Sequence, residues 1–132
     1  MSAPVALFST AAIAAGPFST VVSDLGGSLD PMSASRARVS RGQRHVWLYL
    51  QSKDLMPPPE GILAAVQAAL GGKPATNIVL EISRHPGSEE VAFEIARAFA
   101  ERWPVVLHDL QVPGKVFSQR ELLKSRVTVP AP

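Results

Sequence analysis

Residues 77–109 constrain the fold more than any other stretch, because two strand patterns there flank a helix pattern. Residues 77–83 alternate, so that one side of a strand would carry Ile78, Leu80 and Ile82. The other side includes Glu81 and Ser83 and is more polar, which predicts a half-buried strand. Residues 105–109 are rich in valine and leucine and predict a second strand.

A helix is predicted between these strands, from Ser88 to Trp103. It follows the turn signal Pro86-Gly87, and Ser88 is expected to be its N-cap. Helical spacing predicts a buried stripe of Val91, Ile95 and Phe99. Pro104 ends the helix, because the residue before a proline avoids the helical region.

The rest of the chain supplies shorter patterns of the same two kinds. In chain order, these are a strand at 5–8, a helix at 17–25, a hairpin of strands at 36–40 and 44–50, a helix at 60–70 and a short helix at 118–124. Residues 28–34 are predicted as a loop, and residues 116–117 are expected to pair back on the strand at 105–109. Ser118 and Glu121 have the spacing of a capping box at the start of the last helix.

This order of elements matches the split β-α-β, or ferredoxin-like, pattern with one extra helix and strand. We therefore expect an α+β fold whose ferredoxin-like strands have the order 4-1-3-2, with all helices on one face. We expect residues 1–132 to form a single domain with a frayed tail at 128–132. The predicted core includes Leu48, Ile62, Val66, Leu70, Ile78, Leu80, Ile82, Val91, Ile95, Phe99 and Val106.

Composition narrows the class of protein. No cysteine occurs in the chain, which excludes disulfides, zinc–thiolate sites and thiol nucleophiles. Residues 3–15 are apolar, but the first Lys or Arg is Arg36, so the basic region of a signal peptide is missing. No run reaches the roughly 18 apolar residues of a membrane span. We therefore expect a soluble, cytoplasmic protein with no membrane partner.

The predicted hairpin carries the candidate binding surface. Side chains alternate along strand 44–50, so that its aliphatic residues would face the core. The helix-free side would then carry Arg36, Arg38, His45, Trp47 and Tyr49. Because arginine and aromatic side chains are enriched at protein interfaces, we predict that these five residues bind a protein partner. An equally open interpretation is that Trp47 and Tyr49 are half-buried under a loop or the C-terminal tail.

The sequence contains no recognisable catalytic constellation. His45, His85 and His108 occur without the H-x-x-x-H or H-E-x-x-H spacing of a metal-binding pair. His108 and Asp109 are neighbours on a strand, where adjacent side chains point to opposite faces. The G-x-S-x-G, P-loop and G-x-G-x-x-G motifs are also missing. We therefore expect no enzyme activity, no metal and no cofactor.

The segment from Arg41 to Leu48 resembles, in part, the third-strand pattern of the RNA-recognition motif. Arg41, Gly42 and Val46 match that pattern, whereas Gln43 and His45 stand where its base-stacking aromatic residues belong. The resemblance implies nucleic-acid binding through the open sheet face, which is one alternative function. A ferredoxin-like regulatory domain that binds a small molecule is the other.

Residues 88–123 resemble the C-terminal part of small bacterial immunity proteins that neutralise secreted polymorphic toxins. The shared features are an alanine-rich helix ending in Arg102-Trp103, a strand, and a turn that leads to an aromatic residue and a short helix. The resemblance implies a cytosolic, non-enzymatic inhibitor that binds one cognate toxin. No functional residue is carried over from that family, and the oligomeric state is left open.

Overall fold

The computed structural model describes residues 3–51, 60–109 and 115–124. The helices are α1 (Ala15–Asp24), α2 (Glu60–Leu70), α3 (Ser88–Ala100) and α4 (Gln119–Lys124). The strands are β1 (Ala3–Ser9), β2 (Ser28–Asp30), β3 (Ser33–Arg41), β4 (Arg44–Gln51), β5 (Thr76–Ile82), β6 (Val105–Asp109) and β7 (Lys115–Phe117). These elements confirm the α+β class. The predicted tail at 128–132 lies outside the described residues.

The strands form one seven-stranded sheet in the order β2-β3-β4-β5-β1-β6-β7, and every neighbouring pair is antiparallel. This order differs from the ferredoxin-like order that we expected from the sequence. In that order β1 would lie beside β4, and β5 would lie on the opposite side of β1. In the structure β5 separates β1 from β4, and β6 takes the other side of β1.

The central place of β5 has a physical reason in its apolar side. Leu80 pairs with Val5 of β1 and with Leu48 of β4, so that three buried side chains form a row across the sheet. Ile78 and Ile82 are equally buried on the same side. A strand with three such residues removes more apolar area from water when both of its neighbours are also apolar than it would at an edge. Pairing partners of this kind are not specified by a pattern within one strand.

One side of the sheet, called here the core face, carries Leu80 and its row. Helices α1, α3 and α4 pack on this face through Phe18, Phe99 and Leu122, among others. The ring of Phe99 lies 6.1 Å from that of Phe18 and 5.8 Å from that of Trp103, centroid to centroid. Three aromatic rings therefore form a continuous stack over the core face.

Helix α2 packs on the opposite side of the sheet, called here the second face, which corrects the expectation that all helices share one face. Its Val66 is buried in a separate cluster with Ala6, Phe8 and Val106. The reason is that β1 and β6 carry apolar side chains on both sides, so both sides must be covered. All of the predicted core residues are buried except Ile62 and Leu70, which are half-buried against this second cluster.

The start of α3 differs from the predicted cap. Gly87 is the N-cap, with a left-handed φ of 88° that suits glycine, and Ser88 is the first helical residue. The Ser88 hydroxyl donates to the carbonyl oxygen of His85 at 2.7 Å instead of accepting a helix N–H. Ser88 therefore ties the helix to the preceding turn.

The predicted capping box at the start of α4 is confirmed. The backbone N–H of Ser118 donates to the Glu121 carboxylate at 2.9 Å, and the Glu121 N–H donates to the Ser118 hydroxyl at 3.2 Å. Strand β7 pairs with β6 as expected, because Phe117 lies opposite Leu107. Both predictions depended on residues no more than ten positions apart.

The predicted loop at 28–34 contains β2 and the start of β3, which the pattern missed. Strand β2 is only three residues long, and its register with β3 shifts between Leu29 and Asp30. Neither feature gives an alternating apolar signal. Gly27 brings the chain close enough to pair, since a Cβ atom there would lie 2.7 Å from the carbonyl oxygen of Arg38.

Candidate partner-binding surface

The structure places the five predicted site residues together on the second face, along β3 and β4. We call these residues the arginine–aromatic strip: Arg36, Arg38, His45, Trp47 and Tyr49. Their neighbours Ala37, Val39, Val46 and Leu48 are buried on the core face, as strand alternation predicted. The two arginines are exposed and the three rings are half-buried. Helix α2 packs on the same face but over β6 and β7, towards the opposite edge of the sheet.

Pairing between β3 and β4 sets the strip's internal geometry. Arg36 lies opposite Tyr49, and Arg38 lies opposite Trp47. The guanidinium carbon of Arg36 is 5.7 Å from the centroid of the Tyr49 ring, within range of a cation–π contact. The contact directs one arginine over a ring, and the strip therefore offers positive charge and flat apolar surface side by side.

His45 closes the strip at the end near α3. Its Nδ1 lies 2.7 Å from the Ser40 hydroxyl oxygen, and its ring centroid is 5.9 Å from that of Trp47. Its backbone N–H donates to the Ser83 hydroxyl at 3.1 Å. Among the described residues no carboxylate bonds to the other ring nitrogen, so the Ser40–His45 pair lacks the orienting group of a catalytic triad.

Glu81 of β5 belongs to this surface, although it was not among the predicted site residues. It pairs directly with Trp47, and the Tyr49 hydroxyl hydrogen-bonds to its carboxylate. This hydrogen bond, followed by partial burial and the charge of Glu81, raises the pKa of Tyr49 above its ordinary value, while Arg36 acts in the opposite direction. The alternation along β5 places Glu81 on the more polar side of that strand, and this pattern could have assigned Glu81 to the surface.

The raised pKa predicts a measurable titration, because Tyr49 is the only tyrosine of the chain. We expect the phenolate absorbance of the folded protein to appear at higher pH than that of the unfolded chain. A raised acid pKa means that folding holds the proton more tightly. The resulting stabilisation is complete below the ordinary tyrosine pKa of about 10 and is lost as the pH rises through the folded value.

The matched variants for this titration are Glu81→Gln and Glu94→Gln, which remove the same charge from different places. Glu81→Gln should lower the pH at which the phenolate forms, whereas Glu94→Gln should leave it unchanged, because Glu94 pairs with Arg41 instead. Circular dichroism at each pH shows whether the chain is still folded. An unshifted titration in folded Glu81→Gln would contradict the assigned hydrogen bond.

An open cleft of about 310 Å³ lies between the strip and the β2 turn. Its lining is mixed in charge and polarity and includes Leu29, Asp30, Arg36, Arg38, Trp47 and Tyr49. The Asp30 carboxylate accepts the backbone N–H of Met32 at 2.8 Å, which shapes the turn at the rim. Met32 itself, which follows the lining residues 28–31, is 89% exposed.

The arginines of the strip differ from four other arginines of the chain, which form ion pairs with carboxylates. Arg41 pairs with Glu94 at 2.8 Å, and Arg44 pairs with Glu90 at 3.5 Å. Arg102 and Arg97 also pair with carboxylates, those of Asp24 and Glu101. Within residues 3–51, 60–109 and 115–124, neither arginine of the strip forms an ion pair. The two arginines of the strip are therefore available to a partner, although the carboxylates of Glu81 and Asp30 lie on the same surface.

The described residues contain no group of three or more His, Asp or Glu side chains arranged to hold a metal ion. None of their helices is long and apolar enough to cross a membrane. His108, which the sequence analysis considered, is buried on the second face, at the position opposite Ala6.

Comparison with known proteins gives no relative for this chain. No family model, no curated protein and no solved structure matches it. The resemblance of residues 88–123 to immunity proteins therefore stays a prediction.

Proposed function

We propose that this chain is a non-enzymatic protein-binding module that docks its partner on the arginine–aromatic strip. One observation carries the proposal: two exposed arginines without ion-pair partners among the described residues lie on β3 beside the half-buried Trp47 and Tyr49 of β4. Tryptophan, tyrosine and arginine are the residues most enriched among interface hot spots. Half-buried rings lose little side-chain entropy on binding, because their positions are already restricted by neighbouring strands.

The more specific part of the proposal is that the partner is a bacterial toxin, which the chain neutralises by direct binding in the cytoplasm. Support comes from the likeness of residues 88–123 to immunity proteins. It also comes from the strip, because an inhibitor of this kind needs a docking surface and no catalytic group. The regulatory-domain alternative loses its fold argument, since the strand order is not ferredoxin-like.

The proposal can be tested with the products of the genes adjacent to this one. Each product would be expressed in a laboratory bacterium with and without this chain, and growth would be measured. We expect one product to arrest growth alone and to be harmless when this chain is present. We also expect that product to purify with this chain as a stoichiometric complex.

Two results would contradict the proposal. If growth arrest is never relieved and no complex forms, the toxin-binding function is wrong. If growth is relieved without a complex, the chain acts in another way, and the direct-binding part of the proposal is wrong.

Nucleic-acid binding is a second candidate, because arginines beside aromatic rings also suit a single-stranded nucleic acid. Such binding depends on phosphate contacts, so its affinity would fall steeply as salt concentration rises. Titration of labelled oligothymidylate at several salt concentrations distinguishes the two functions. Binding that is tight at low salt and that Trp47→Ala abolishes would favour this candidate.

A further inference from the structure

We propose that the cleft beside the strip receives an acidic segment of the protein partner, with a carboxylate held by Arg36 and Arg38. This inference rests on the proposed function and adds the chemistry of the partner. It concerns the surface bounded by the β2 turn, β3 and β4.

The spacing of Arg36 and Arg38 suits a carboxylate. They are two residues apart on one strand, so their Cα atoms are separated by about 7 Å and their side chains leave the same face. Two long side chains with that separation can converge on one anionic group. Arginine guanidinium groups bind carboxylates through paired N–H donors, a geometry that lysine cannot provide.

The ion pairs elsewhere on the same hairpin show what these two arginines lack. Arg41 and Arg44, at the turn of the hairpin, are joined to the carboxylates of Glu94 and Glu90 on α3. Arg36 and Arg38 lie farther along β3, away from α3, and no described carboxylate pairs with them. A glutamate or aspartate of the partner would form with Arg36 and Arg38 the kind of ion pair that α3 forms with Arg41 and Arg44.

The position of Glu81 limits where negative charge can bind. Arg38, Trp47 and Glu81 form one row across β3, β4 and β5, so Arg38 and Glu81 are two strand spacings apart, about 10 Å. Positive charge is therefore confined to the β3 side of the aromatic rings. A local acidic segment fits that side, whereas a nucleic-acid backbone crossing the strip would bring its phosphates towards Glu81.

The cleft also favours a protein segment by its size and its aromatic lining. A volume of about 310 Å³ is at the lower end of the range for small-ligand sites and suits one or two side chains. Trp47 and Tyr49 line it beside the arginines, and their half-buried rings supply its apolar surface. An acidic side chain flanked by apolar residues would satisfy the arginines and the aromatic rings together.

The test is a selection of random peptides displayed on phage, with the wild-type chain immobilised and the Arg36→Gln/Arg38→Gln variant in solution as competitor. We expect the selected peptides to be enriched in Asp and Glu. A synthetic copy of the most enriched peptide should bind the double variant at least about tenfold more weakly than the wild type. Replacing its acids by the corresponding amides should have the same effect.

The matched control is Arg41→Gln/Arg44→Gln, which removes the same charge from arginines that already have partners. It should change the affinity for the peptide by no more than about threefold, because these arginines already have partners. Glu81→Gln should not weaken binding, because it removes a negative charge near the site. These opposite expectations separate a local contact from a general effect of net charge.

Several results would overturn the inference. One is that the selected peptides lack acids, and another is that both double variants lose affinity for the peptide equally. A third is that the Arg36→Gln/Arg38→Gln competitor displaces every peptide that the wild-type chain selects. Tighter binding of oligothymidylate than of any peptide, or self-association of the chain that Arg36→Gln/Arg38→Gln abolishes, would assign the cleft to another occupant. If a toxin complex forms while the peptides lack acids, the proposed function stands and only this inference fails.

Discussion

Truncation of Phe99 to alanine is expected to lower the free energy of unfolding by about 3–5 kcal/mol, the range for fully buried phenylalanines. Phe99 is 0% exposed, and its ring stacks between those of Phe18 and Trp103. Removing the middle ring leaves a cavity and deprives both neighbours of their contact. The lost contacts are those that pack α1 and α3 against the core face.

Urea denaturation followed by circular dichroism measures this loss, with Phe93→Ala as the matched control. Phe93 lies on the same helix but is only half-buried against the core cluster, and its ring contacts that of Phe117 edge-on at a centroid distance of 5.3 Å. The same truncation there should cost roughly half as much, about 2 kcal/mol, because less apolar area is buried. A loss below about 1 kcal/mol for Phe99→Ala, typical of surface sites, would contradict the packing described.

Local patterns predicted most of the elements and the composition of the strip. The alternation along β4 was sufficient to separate Leu48 from Trp47, because the period of a strand is fixed by its backbone. The same logic assigned Arg36 and Arg38 to the side of Trp47. These predictions succeeded because each depended on residues within one strand or one hairpin.

The arrangement of elements could not be obtained in the same way. The central position of β5 depends on contacts between Leu80, Val5 and Leu48, which are far apart in the chain. The ferredoxin-like strand order was inferred from the order of helices and strands along the chain. Several different strand orders within a sheet are compatible with that sequence of elements. Only the buried area across strands decides among them, and no single strand reveals it.

The position of α2 had a signal that the sequence analysis did not use. Ala6 and Phe8 face away from Val5 and Leu7, and all four side chains are apolar and buried. A strand that is apolar on both sides requires cover on both sides of the sheet. That requirement places a helix on the second face. The strip then occupies the part of the second face that β3 and β4 form.

The cleft was beyond the reach of sequence patterns for a different reason. Its outer wall is the β2 turn, and residues 28–31 have neither alternation nor a regular register with β3. Their position follows from the close approach of Gly27 to β3, which is a steric property of the folded chain. Concave sites formed in this way are visible only once the strands are assembled.

Replacement of Trp47 by alanine is expected to weaken binding of the partner by roughly 2 kcal/mol or more, the threshold for a hot spot, which corresponds to about 30-fold in affinity. Trp47 lies at the centre of the strip, between Arg38 and Glu81 in one row and next to the ring of His45. Its indole would be the largest apolar surface covered by the partner. Isothermal titration calorimetry against the toxin identified by co-expression measures the loss.

Thermal melting and two further variants show whether the loss belongs to the interface. Leu123→Ala removes an exposed side chain from α4, on the core-face side of the sheet, and should leave the affinity unchanged. Trp47→Phe keeps an aromatic ring and should retain more affinity than Trp47→Ala. Unchanged affinity in folded Trp47→Ala would reject the strip as the docking surface. If Trp47→Ala unfolds while Trp47→Phe is folded and binds normally, then Trp47 supports the sheet and its indole is not a hot spot of the interface.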